Sequence, residues 1–191
     1  MPDPSTEGTW RVLGERRIYE SQWVTLGQAD VVLPSGQRFE HHTVTMPAAA
    51  MAVVVDDSGE KVLLAWRHRF VPDIWNYELP GGLVDVGESP VETVAREIVE
   101  ETGYRARSLR QAVEFEPMVG MLRARHHVFI AEGAELVGFP SEFDEGTFEW
   151  VPLSDTPTLI TAGKVLNSGT LVGLLHVLAF AQRQGPHSRL C

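Results

Sequence analysis

Val91, Val94, Ala95, Ile98 and Thr102 recur at the spacing of one helix face. Glu97, Glu100 and Glu101 fall outside that stripe, so the pattern predicts an amphipathic helix with an acidic side. Its start is marked by Ser89 as N-cap, Pro90 at the first helical position and Glu92 closing a capping box. Its end is marked by Gly103, which suits a left-handed terminal residue.

Elsewhere the apolar runs are short and strand-like. Trp10–Tyr19, Trp23–Leu33 and Arg38–Met46 come first, with Pro34-Ser35-Gly36 as the turn joining the last two. Met51–Val55 and Lys61–Trp66 follow, flanking the turn at Asp57-Ser58-Gly59. Leu109–Phe115, His127–Ala131 and Phe148–Val151 read as later strands. Leu171, Leu174, Leu175 and Leu178 predict a core-packed C-terminal helix over Leu171–Ala179. No repeat or long linker interrupts the chain. Strands with helices on either side imply an α/β sandwich.

Composition narrows the function classes. A chain of 191 residues with 43% hydrophobic residues supports one compact domain, or a domain with a small appendage. No apolar run approaches membrane-spanning length, and the first residues lack a basic-then-apolar signal pattern. The lone Cys191 excludes an internal disulfide and makes a reducing cytoplasm the expected location. A formal charge of −10 without a basic block argues against nonspecific nucleic-acid binding.

The acidic helix carries the candidate chemistry. Clustered carboxylates repel one another and call for a cation. Oxygen donors without Cys or grouped His favour Mg2+ or Mn2+ over zinc. From Gly82 to Tyr104 the residues run Gly82, Glu88 after a five-residue gap, Arg96-Glu97 after seven more, then Ile98, Glu100, Glu101 and Gly103. This resembles the Nudix box, G-x5-E-x7-R-E-U-x-E-E-x-G-U, with U a bulky apolar residue; Tyr104 departs from the usual aliphatic. The resemblance implies a Nudix-type α/β/α sandwich over about Ala48–Gln184. It also implies that Arg96 orients the box glutamates through charge-assisted hydrogen bonds. Glu97, Glu100 and Glu101 are the expected metal ligands with the Gly81 carbonyl, and Glu88 supports loop and helix.

Leu63–Phe70 and Glu78-Leu79-Pro80-Gly81-Gly82 look like the ADP-ribose pyrophosphatase branch, which includes nucleotide-sugar hydrolases. That branch carries a small N-terminal antiparallel strand domain that commonly takes part in dimerisation. Residues 1–47 are therefore expected to form such a domain within a homodimer, and 48–191 the hydrolase domain. A few short strands do not easily bury a core of their own. Arg69 matches the branch's substrate-contacting arginine, and a guanidinium fork suits a diphosphate. Arg67 stands where the branch often has Gln, and is a further substrate-binding candidate. Trp75 is either a base-stacking ring or a core tryptophan.

The implied reaction is divalent-metal-dependent hydrolysis of a nucleoside diphosphate linked to another group, yielding a nucleoside monophosphate and a phosphorylated product. One departure affects it. Between Gly120 and His127 there is no carboxylate to act as general base. His126, Glu142, Asp144, Glu145 and Glu97 itself are the candidates. Arg123 and Arg125 instead make this loop cationic and point to an anionic group on the substrate. The missing acid leaves a second class open: a Nudix module that binds a nucleotide metabolite without turnover.

Overall fold

The computed structural model describes residues 8–141 and 146–181. In chain order the strands are β1 (Arg11–Glu20), β2 (Thr25–Val32), β3 (Arg38–Thr45), β4 (Ala49–Val55), β5 (Lys61–Arg69), β6 (Ile74–Glu78) and β7 (Gly81–Leu83). Helix α1 (Pro90–Thr102) precedes β8 (Tyr104–Ala106), β9 (Leu109–Phe115), β10 (Leu122–Arg123), β11 (His126–Glu132), β12 (Ala134–Leu136) and β13 (Thr147–Pro152). Helices α2 (Thr156–Thr161) and α3 (Ser168–Ala181) close the described chain.

The chain divides into two compact units. The first holds the described residues up to Pro47 together with Glu116–Ala124. The expected boundary at 47/48 did not anticipate this second segment. It joins because Leu122 and Arg123 pair in parallel with Val44 and Thr45, extending a sheet of order β1-β2-β3-β10. Backbone bonds from Val44 to Met121 O (2.9 Å) and from Met46 to Arg123 O (3.0 Å) fix that register. Strand β1 is the sheet edge and is exposed along its whole length.

The second unit is the α/β/α sandwich that the patterning predicts. Its seven-stranded sheet has the order β13-β5-β4-β11-β9, with β6 added to β5 and β7 to β4. Strand β4 is buried throughout and runs parallel to β11; the other pairings are antiparallel. Strand alternation sorts β4 between two cores. Ala50, Ala52 and Val54 pack with Val94 and Ile98 of α1, while Met51, Val53 and Val55 pack with Leu174 of α3. Gly173 lets α3 approach closely, since a Cβ there would sit 2.8 Å from Leu79 Cδ1 and 2.9 Å from Val53 Cγ2.

Two features of this sheet place the site. Strands β4 and β5 pair only at Val55–Val62, and then diverge. β6 pairs with β5 and β7 with β4 beyond that point, so the intervening Leu79 and Pro80 bridge the split. The second feature is α1 itself. Ser89 accepts from Glu92 N while Glu92 accepts from Ser89 N at 2.9 Å, and Gly103 ends the helix at φ 74°. The buried face differs from the expected one. Val91 and Ala95 are exposed, whereas Thr93, Val94, Ile98, Glu101 and Thr102 are buried. Positions 94, 98 and 101 follow the i, i+4, i+7 rule, so Glu101 belongs to the inward stripe.

Ile98 is fully buried against the sheet. Truncation by Ile98→Ala is expected to cost about 2–5 kcal/mol, through lost burial and a residual cavity. Urea unfolding monitored by tryptophan fluorescence measures it.

Candidate active site

Arg96 organises the first half of the site. Its Nε donates to Glu88 Oε1 (2.9 Å) and its Nη2 to Glu88 Oε2 (3.0 Å), a two-pronged pair. Its Nη1 reaches both Glu97 Oε1 (2.9 Å) and Glu100 Oε2 (2.8 Å). One guanidinium thus gathers three carboxylates, which holds its own pKa well above the usual value, Glu88 contributing most. Arg96 and Thr93 together pull the Glu88 carboxyl down to about 2 from its usual 4.5. Glu88 therefore ties the loop before α1 to the helix.

Glu101 lies elsewhere. The expectation of a surface carboxylate gives way here, because its side chain is 3% exposed and pairs with Arg67, itself 2% exposed. Arg67 Nη2 donates to Glu101 Oε1 at 2.6 Å, and the Gly81 N–H donates to Glu101 Oε2 at 2.9 Å. Arg67 was expected to meet substrate. Its burial instead makes it a partner of the box. The guanidinium also lies over the Phe148 ring, 5.6 Å from its centroid.

A second buried carboxylate lies on the same face. The register pairs Arg67 with Asn76 and Arg69 with Ile74, and strand alternation turns Arg67, Arg69, Asn76 and Glu78 together. Glu78 accepts from Arg69 Nε (3.1 and 3.2 Å) and Nη2 (2.6 Å), and from Asn76 Nδ2 (3.1 Å). Arg69 keeps 47% of its side chain exposed, so its anchored fork still faces solvent. Neither Asn76 nor Glu78 had been assigned a role; period-two spacing from Arg67 and Arg69 was the available signal.

The glycines explain how the carboxylates come close to backbone. At Gly81, φ is 154°, and a Cβ would lie 2.3 Å from Ala50 O and 2.6 Å from Met51 Cα. At Gly82 a Cβ would meet Glu97 Oε1 at 2.3 Å. Gly81, Gly82, Glu97 and Glu101 therefore converge with oxygen donors alone, which fits a hard divalent cation. Among the described residues no three acidic or imidazole side chains come together closely enough to hold a metal by themselves. Glu100, the third expected ligand, turns to Arg96.

Within the second unit, Trp75 and His126 lie outside this cluster. Trp75 stacks beside Trp66 (centroids 6.0 Å apart) and near His68, on the hairpin face opposite Arg67 and Arg69. His126 packs edge-on against Phe115 and shares its strand face with Val128 and Ile130, on the α3 side. It is thus on the far face from α1. Arg123 makes a double contact with Glu15 (3.2 Å each) in the first unit, and Arg125 pairs with Glu114 (3.2 Å) in the second. Glu142, Asp144 and Glu145 lie outside the described residues.

A NUDIX domain model matches residues 45–167. The chain belongs to the Nudix family. A nucleoside diphosphate sugar hydrolase N-terminal domain model matches residues 10–44. The chain is 46% identical over 179 residues to a CMP-5'-(N-acetyl-N-hydroxy-3-aminopropyl)phosphonate hydrolase of Streptomyces rubellomurinus (strain ATCC 31215), covering 93% of this chain and 86% of that one. It is 28% identical to an ADP-ribose pyrophosphatase of Bacillus subtilis (strain 168), covering 87% and 91%. A crystal structure of an ADP compounds hydrolase superposes with a TM-score of 0.80 at 19% identity, covering 92% of this chain and 96% of that one; it bears on the fold. The Nudix chain described here is a hydrolase, and among its described residues no helix is long and apolar enough to cross a membrane.

Glu88 gives this Nudix site a pH signature. A folded pKa near 2 lies below the unfolded value, so its stabilising contribution is complete above about pH 4.5. It is lost as pH falls from 4.5 toward 2. Glu88→Gln is expected to lower stability at neutral pH and to flatten the acid limb of a stability–pH curve in that window. Thermal unfolding at stepped pH reads both.

Proposed function

We propose that this Nudix hydrolase cleaves the diphosphate of a nucleoside diphosphate linked to another group, with Mg2+ or Mn2+ as cofactor. The observation that carries this reading is the convergence of Glu97, Glu101 and the Gly81-Gly82 backbone beside an arginine fork at Arg69. The glutamate carboxylates and the Gly81 carbonyl would hold the cation. When bound, such a cation supplies Lewis acidity: it neutralises diphosphate charge and acidifies water.

The chain's own residues do the rest. Arg96 draws Glu88, Glu97 and Glu100 together, and so keeps Glu97 oriented before any cation arrives. Glu78 and Asn76 hold Arg69 so that its exposed donors meet the phosphates with little ordering cost. Glu97, 12% exposed, is the candidate acceptor for the proton of the attacking water. Relatives named as hydrolases favour turnover over a binding module without it. Their names set the substrate panel: ADP-ribose, other nucleotide sugars and a CMP-linked phosphonate. A cytoplasmic location accords with the lone cysteine.

Glu97→Gln should lower kcat by at least about a hundredfold on the cleaved panel member, since it removes a ligand rather than an orienting partner. Its unfolding free energy should stay within about 1 kcal/mol of the parent chain. Product chromatography with saturating Mg2+, run beside urea unfolding, checks both. A rate close to the parent's would remove Glu97 from the reaction.

The first unit supports a homodimer. Strand β1 is a sheet edge carrying Val12, Leu13, Ile18 and Tyr19, with Trp10 just before it, all between 44% and 60% exposed. An apolar edge of this length is open to pairing with another chain. Light scattering at micromolar concentration is expected to give twice the chain mass, and Val12→Lys with Ile18→Lys to halve it. A parent chain that runs as a monomer would reject the dimer.

A further inference from the structure

We infer that Arg67 is a positioning residue that balances Glu101 in the cation-free protein and thereby limits how tightly the Nudix box holds a divalent ion. This rests on the cation site proposed above.

Both side chains are almost wholly buried, at 2% and 3% exposure, and meet at 2.6 Å. An ionised carboxylate at that depth is strongly unfavourable without a counter-charge. Arg96 serves Glu88, Glu97 and Glu100, not Glu101. The counter-charge at Glu101 comes from β5, and the second oxygen is steadied by the Gly81 N–H. A guanidinium does not step aside by deprotonating. A carboxylate oxygen accepts from more than one partner, so a cation is able to join the arrangement. It then shares one carboxylate with a second positive charge in a low-dielectric setting, where like charges repel strongly. Arg67 therefore does two linked things. It lets the box fold without metal, and it weakens the metal once bound. A neutral amide at position 67 reverses both.

The test is a cycle of Arg67→Gln, Glu101→Gln and the double variant. It uses thermal unfolding in chelator and in Mg2+, and Mn2+ binding followed by electron paramagnetic resonance. Arg67→Gln is expected to lower the metal-free midpoint by at least about 6 °C. Saturating Mg2+ should raise that midpoint by at least about 3 °C more than it raises the parent's. The Mn2+ dissociation constant should tighten at least about fivefold. The double variant should regain most of the lost midpoint and lose the Mn2+ site. Equal Mn2+ affinity and equal Mg2+ shifts in Arg67→Gln and the parent overturn the inference while leaving the cation site standing. Absence of Mn2+ binding in the parent overturns both. If Arg67→Gln does not fold, a folded double variant supports the inference, and a double variant that also fails to fold overturns it.

Discussion

Like charges on one helix must be neutralised, and the box meets that demand with two arginines. Glu88, Glu97 and Glu100 are drawn to Arg96, whereas Glu101 is drawn inward to Arg67. The division decides the site's geometry. Arg96 comes from the same helix as Glu97 and Glu100, so its pairs are local and half-exposed. Arg67 comes from a strand, so its pair links α1 to the sheet through the interior. The acidic helix does not stand as a bare cluster waiting for metal. It is already compensated, so the proposed cation would enter as a competitor and partner to guanidinium groups.

The sheet serves this arrangement by splitting. Because β4 and β5 part after Val55–Val62, β6 and β7 enter between them and carry Glu78 and the two glycines toward α1. The missing Cβ at Gly81 then lets the chain lie against the β4 backbone, and the one at Gly82 leaves room for the Glu97 carboxylate. Arg69 lies on the same face, held by Glu78. The proposed cation ligands thus come from α1 and β7, and the candidate diphosphate fork from the β5–β6 hairpin.

Much of the fold was legible where apolar spacing is regular. The limits of α1 follow from the capping box, and β9 coincides with its expected span Leu109–Phe115. β6 escaped notice for a physical reason. Its inward face is Ile74, Asn76 and Glu78, so polar residues stand where a hydrophobic pattern would be sought. β7 has two glycines in three residues, and β10 is only two residues long. In the site, the Arg96 pairs were legible through the resemblance to the Nudix box, which implies that this arginine orients the box glutamates. The burial of Arg67 and Glu101 was not, because each is tolerable inside only through the other, 34 positions away. Arg123 and Arg125 looked like one cationic loop but fall in different units, each beside its own glutamate.

The most direct test of this charge arrangement is an anomalous difference map from a crystal of the protein soaked in Mn2+. The account predicts a peak bonded to the Glu97 and Glu101 carboxylates and to the Gly81 carbonyl, with Arg96 still holding Glu88. A site fully occupied by Mn2+ but coordinated away from α1, or no peak there at saturating Mn2+, would contradict it.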